Sequence, residues 1–238
     1  MDNILNFPST TVVNKPVPKN AFYGRSNDSS LREFLTREFE SIVWLYKLEP
    51  ATLNVEDGEY VHEIDVFYCR MKEDKYNIKP FSAMDELLPR HTIFIIEYGG
   101  KFDLLMHHKE MSVVHGEQRW KCGISELKRD IQIDADTLNI LGQSMDAVYN
   151  GLLSQISGLS VSTKEEYKEQ IDIRKQIESI QKQILMLQKR IKAEKQFNRQ
   201  MELNTEVRQL RKEITLLTAK LNKNNHCCPL KIAKRSLK

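Results

Sequence analysis

The sequence predicts an α+β fold: a small, mostly antiparallel sheet with flanking helices, followed by a long C-terminal coiled-coil helix. Three observations predict it. Residues 163–221 contain no Gly and no Pro, and their apolar residues recur at a spacing of roughly 3.5, the seam of helices that supercoil. His91 to Tyr98 (HTIFIIEY) is dense in β-branched and aromatic residues, which suit a strand. Gly99-Gly100 follows it at once, and Gly tolerates the positive φ of a two-residue hairpin turn.

In chain order, residues 1–24 read as an irregular arm. Pro8, Pro16 and Pro18 remove backbone donors, and Val12, Val13, Phe22 and Tyr23 are candidates to pin the arm down. Ser26-Asn-Asp-Ser-Ser offers caps for a helix that carries Leu31, Phe34, Leu35, Phe39, Ile42, Val43 and Tyr46 along one stripe, with Glu38 as its polar break. Trp44 widens the stripe, and Pro50 ends the helix soon after Leu48. A strand follows over 61–68, its apolar face formed by Ile64, Val66 and Tyr68 beside His62. Residues 82–88 form a short helix closed by Pro89. The strand at 91–98 turns at the Gly pair into a partner over 101–106, and a further strand runs over 118–124. From Asp136 the period becomes helical: Leu138, Leu141, Met145, Val148, Leu152, Ile156 and Leu159, capped by Asp134 or Asp136 and ending near Gly158. Ser160-Val-Ser-Thr163 is a joint, with Thr163 capping the last helix and Glu165 and Glu166 in its first turn. The resulting organisation is an arm (1–24), an α+β globular domain (25–160), a coiled-coil helix (161–222) and a basic flexible tail (223–238).

The seam consists of Ile173, Ile177, Ile180, Ile184, Leu187 and Ile191, then Leu203, Val207, Leu210, Ile214, Leu217 and Leu221. The two blocks are out of register, so the seam shifts between Ile191 and Leu203. Either a rod continues through the shift, or an antiparallel hairpin turns within 192–202. No Gly, Pro or Asn-Gly marks a turn, so the sequence favours the rod. A rod must cover its seam with another copy, which implies a homodimer.

Charge is divided unevenly. Residues 1–163 hold 17 Lys/Arg against 24 Asp/Glu, a net −7, and residues 164–238 hold 19 against 9, a net +10. A basic C-terminal part suits an acidic partner, whether nucleic acid or protein. Between Lys182 and Lys212 stand nine Lys/Arg and three Glu. The binding residues this selects are Lys189, Arg190, Lys192, Lys195 and Arg199, with Phe197 the one aromatic among them. Phosphate contacts from such a stripe are sequence-blind and salt-dependent. The competing reading is a solvated helical face.

No apolar run is long enough to span a membrane. The start lacks the basic and apolar segments of a secretory signal, which points to the cytoplasm. Cys69, Cys122 and the Cys227-Cys228 pair lack a zinc-ribbon spacing, so neither metal nor cofactor is expected. Nucleophile elbows, Walker loops and dinucleotide fingerprints are missing. The weak catalytic candidates are Asp65, Glu97 and Lys101, in the manner of a restriction-endonuclease-like site. Glu97 and Lys101 are divided by the Gly turn, however, where such a site needs them two apart on one strand face. His107 and His108 are adjacent strand residues that point to opposite faces, so they do not chelate one ion together.

Several segments resemble one bacterial family. They are Asn14-Lys15, Pro18-Lys19 and Phe22-Tyr23; Ile42-Val-Trp-Leu-Tyr-Lys-Leu with Pro50, Thr52 and Asn54; the hairpin 93–105; the helix 145–153; and Glu194-Lys-Gln-Phe-Asn-Arg-Gln-Met-Glu-Leu-Asn204. The family is known only as a domain of unknown function, number forty-three ninety-one, and the resemblance covers nearly the whole chain. It brings no activity with it. It implies an accessory protein of restriction-like or phage-defence loci, partnered by a helicase or DNA methyltransferase. The expected function is a non-catalytic interaction protein of a DNA-processing system that associates through its coiled coil. The alternative is a nucleic-acid-binding or nuclease subunit that uses the basic helix and the acidic strand residues.

Overall fold

The structure, a computed structural model, describes residues 4–24, 29–114, 117–158 and 164–225. They divide into two compact units, with the boundary between Gly158 and Leu159.

The first unit is a six-stranded sheet in the order β1 (Val12–Pro16), β2 (Phe39–Leu48), β3 (Ile64–Met71), β4 (His91–Tyr98), β5 (Lys101–Val114) and β6 (Glu117–Lys128). It is mixed, which corrects the mostly antiparallel expectation. β3 and β4 run parallel, and the other neighbouring pairs are antiparallel. A parallel pair needs a crossover, and α4 (Lys79–Glu86) supplies it. Two short helices, α1 (Asn20–Tyr23) and α2 (Ser29–Glu38), precede β2, and α3 (Pro50–Leu53) follows it. Phe22, Leu31, Phe34, Leu35, Phe39, Phe81 and Met84 pack with Phe67, Cys69, Phe94, Ile96 and Leu105 of the sheet in one core. The alternate residues Ile64, Val66, Tyr68, Ile93 and Ile95 are buried as well. β3 and β4 are thus covered on both faces, as parallel strands normally are. α5 (Met145–Ser157) packs against β5 and β6 and sets Tyr149 against His91 at the start of β4. In its first turn, the Asp146 carboxylate accepts the N–H groups of Glu59, Tyr60 and Val61 and latches the loop that enters β3.

The predicted helix over 31–46 is overturned in its second half. The helix stops at Glu38, and Phe39–Leu48 is a strand. Its buried positions are Phe39, Ile42, Leu45, Tyr46 and Leu48, and four of them fall three apart because register shifts lie between Phe39 and Ser41 and between Trp44 and Tyr46. Each bulge inserts a residue into the two-residue period, so a bulged strand imitates helical spacing. The arm is less irregular than expected: β1 joins the sheet edge, and Leu5, Phe7 and Phe22 are buried while Val12 is exposed. The predicted helix from Asp136 begins only at Met145, with Ser144 as its cap through the Ala147 N–H. Gly142, at φ +114, ends any earlier helical run, since that conformation suits glycine alone.

The second unit corrects the favoured rod. It consists of α6 (Lys164–Ala193) and α7 (Phe197–Asn225). Ile180, Ile184 and Leu187 pack with Leu203 and Val207, flanked by Ile191, Leu210, Ile214 and Leu217. Glu169 near the start of α6 pairs with Lys220 near the end of α7 at 2.9 Å. The two helices are therefore antiparallel, a helical hairpin that turns at 194–196. Ile173 is also buried, and Ile177 and Leu221 are half-buried. The seam that a second copy was expected to cover is covered by α7 of the same chain. The predicted cap Thr163 and the tail residues His226, Cys227, Cys228 and Pro229 lie outside the described residues.

Candidate functional site

The hairpin turn collects every residue selected for binding. α6 contributes Lys189, Arg190 and Lys192, the loop contributes Lys195, and the first turn of α7 contributes Phe197 and Arg199. All six are exposed, Phe197 at 71%. Side chains build the turn without Gly or Pro. The Glu194 carboxylate accepts the N–H groups of Lys195 (2.8 Å) and Gln196 (3.0 Å), which hold it below the usual carboxylate range. The Gln200 amide donates to the Glu194 carbonyl (2.7 Å) and so satisfies an end carbonyl of α6. Arg199 pairs with Glu202 at 2.6 Å, an exposed contact of small energetic weight. From Lys189 to Arg199 the chain carries five cationic side chains and one carboxylate. Phe197 and Met201, one helical turn apart, add exposed apolar surface on the same side of α7.

The three weak catalytic candidates do not meet. Asp65 lies beside Thr92 in the parallel register and Glu97 beside Arg70, five residues further along. At about 3.3 Å per residue, that is a separation of about 16 Å. Arg90 pairs with Asp65 (3.6 Å) and with Glu63. Glu97 accepts from Tyr68 and from Arg70 Nε (2.6 Å), and burial together with Glu97 pushes the Tyr68 phenol up to about 12. Lys101 pairs with Asp130 at 3.5 Å on the surface. Asp103 on β5 takes the Tyr76 and Tyr98 hydroxyls and the Asp130 N–H.

A buried polar cluster under α4 was not found from the sequence. The side chains of Asp85, His107 and Lys109 are all 0% exposed. Asp85 Oδ2 lies 2.9 Å from His107 Nδ1, and His107 Nε2 lies 3.0 Å from Ser82 Oγ. Asp85 Oδ1 accepts from Lys109 Nζ at 2.9 Å. The same ammonium donates to the carbonyls of Asp85 (2.8 Å), Leu88 (2.9 Å) and Arg90 (2.6 Å) and stands 5.3 Å from the Trp120 ring centre. Lys109 thus closes the end of α4 with a cation where the helix dipole favours one. Cys122 on β6 completes the group. Its thiol lies 3.6 Å from the Ser82 carbonyl, and burial together with Asp85 pushes its pKa up. A register shift between His107 and Lys109 accompanies this arrangement. The opposite facing of His107 and His108 does hold: His107 is buried and His108 is half-exposed. The strand expected over 101–106 stops short of Lys109, so the sequence reading held no signal for the cluster.

Two groups at the ends of β3 and β4 make stability pH-dependent. Burial lowers the His91 pKa to about 4, so its contribution is complete above about 6.5 and is lost as pH falls toward 4. Burial raises Asp65 to about 6, against the Arg90 attraction and with Glu63 adding to the rise. The sign is opposite here: the Asp65 contribution is present below about 4 and is lost as pH rises through 6. Its Oδ1 is buried without a hydrogen-bond partner. Asp65→Asn is expected to raise stability at pH 8 by about 3 kcal/mol, a gain that vanishes near pH 4. Urea unfolding across that range measures it. A variant no more stable than the parent at pH 8 contradicts the burial argument.

The family model described as Domain of unknown function (DUF4391) matches residues 5–214. The match runs through the sheet and into the second helix of the hairpin. No curated protein matches the chain, and no solved structure does. Among the described residues, no helix is long and apolar enough to cross a membrane.

Proposed function

This chain belongs to the family described as Domain of unknown function (DUF4391), and we propose that it is a non-catalytic accessory subunit of a DNA-processing system that contacts nucleic acid through its hairpin turn. One observation carries the reading: five exposed cations and a single carboxylate lie within the eleven residues from Lys189 to Arg199, at one end of an antiparallel helix pair. Arg and Lys at such density bind phosphates and release counterions. Arg190 and Arg199 can each engage a phosphate through two N–H groups. The seam packs inside the chain, and the surface of the hairpin turn carries these cations beside the exposed Phe197 and Met201. A helicase or a DNA methyltransferase is the partner class that the family resemblance implies for such a subunit. The exposed Phe197 and Met201 support a second reading, in which the same turn docks that protein partner directly.

The test is fluorescence anisotropy of a labelled DNA duplex with the full chain and with a variant in which Lys189, Arg190, Lys192 and Lys195 are all Gln. All four side chains are exposed, so helicity is expected to be unchanged by circular dichroism. Duplex affinity at low salt is expected to fall by at least about 10-fold. Equal affinity in the two proteins overturns the nucleic-acid reading and leaves the Phe197–Met201 surface as the contact.

A further inference from the structure

We propose that Asp85, His107 and Cys122 form a binding site for one divalent transition metal ion, zinc by its donor set. A carboxylate oxygen, an imidazole nitrogen and the thiol sulfur of these three residues lie within 4.8 Å of one another. They come from three elements, α4, β5 and β6, which is why a spacing rule on the cysteines misses them. In a tetrahedral zinc site, bonds of about 2.0–2.3 Å place the ligand atoms roughly 3.3–3.6 Å apart. Asp85 Oδ2 and His107 Nδ1, at 2.9 Å, need to part only slightly. Cys122 Sγ, within 4.8 Å of both, needs to close by at most about 1 Å, within the reach of a side-chain rotation.

The surroundings have the form of an outer shell. With Nδ1 on the metal, the Nε2–H of His107 donates to Ser82 Oγ, 3.0 Å away. A ligating histidine is commonly oriented through its other nitrogen in this way. The second carboxylate oxygen of Asp85 is held by Lys109 at 2.9 Å. Glu86 accepts the Cys122 N–H at 2.9 Å and so fixes the backbone that carries the thiol, which leaves the fourth position to water. Sulfur together with imidazole selects zinc or a similar borderline ion over magnesium.

The charges also close. The Cys122 S–H bond breaks as the sulfur–metal bond forms, and the proton passes to solvent. The thiolate and the Asp85 carboxylate then balance the two charges of the ion. Lys109 keeps its three backbone carbonyls and the Trp120 ring. Its ammonium weakens binding but does not occupy Oδ2. Bound there, the ion ties α4 to the β5–β6 pair.

The test uses the full chain with Cys227 and Cys228 changed to Ser, which removes the tail thiols, after treatment with a chelator. Cobalt(II) alone is the probe. One equivalent is expected to produce a thiolate-to-cobalt charge-transfer band with the visible bands of a tetrahedral ion, and zinc is expected to displace it. Zinc is also expected to raise the melting temperature, and magnesium is not. Cys122→Ser, a nearly isosteric change at a half-buried position, is expected to abolish both the charge-transfer band and the zinc-dependent rise. Cys122→Ala serves as a second variant, with the fold of each checked by circular dichroism. Absence of the band in the parent overturns the proposal. So does a band that persists in either Cys122 variant, since it then arises from Cys69.

Discussion

Changing Lys109 to methionine is expected to destabilise the sheet unit by about 3–5 kcal/mol, because it removes one partner of a fully buried ion pair. Methionine keeps the length and the apolar stem of lysine, so packing is nearly preserved. What disappears is the donor to four acceptors: the Asp85 carboxylate and the carbonyls of Asp85, Leu88 and Arg90. A buried acceptor without a partner costs roughly 1–3 kcal/mol, and one that carries charge costs more. The carbonyls close the end of α4, so its last turn and the segment to β4 are expected to loosen first. Pairing the change with Asp85→Asn removes both charges and is expected to recover a large part of the loss, a coupling that a double-mutant cycle reads directly. Urea unfolding followed by tryptophan fluorescence is a suitable measurement, since Trp120 lies beside the ammonium. A loss below about 1 kcal/mol for Lys109→Met shows that the pair holds nothing together.

The elements readable from sequence are those whose local chemistry agrees with their tertiary setting. His91–Tyr98 with Gly99-Gly100 is one: both glycines adopt positive φ, and β5 returns as read, though it continues to Val114. β2 was unreadable because two bulges reset its period, and only its pairing with β1 and β3 makes it a strand. The parallel β3–β4 pair was hidden for a related reason, since strand direction is fixed by the path of α4 and not by any residue type.

At the hairpin, the out-of-register seam was visible, and so was the concentration of charge around the shift. The turn was not, because its stop signals are the side chains of Glu194 and Gln200 and not a backbone breaker. The family-like segment from Glu194 to Asn204 is this turn and the start of α7. The cluster of Ser82, Asp85, His107, Lys109 and Cys122 is assembled by one helix and two strands, so no linear spacing announces it. Asp65, Glu97 and Lys101 failed to converge because parallel pairing sets Asp65 and Glu97 at opposite ends of β3 and β4.

The central claim is that the hairpin turn binds nucleic acid through phosphates. Each phosphate contact on duplex DNA contributes roughly −0.9 to the slope of log affinity against log salt. Removing Lys189, Arg190, Lys192 and Lys195 together is therefore expected to make that slope shallower by about 3–4, if each meets one phosphate. The loss is expected to be similar for unrelated sequences, because backbone contacts carry no base information. The most direct measurement is duplex affinity of the full chain and of the four-fold Gln variant across a salt series. The account predicts a steep slope for the parent and a shallow one for the variant. Parallel lines with equal slopes contradict it.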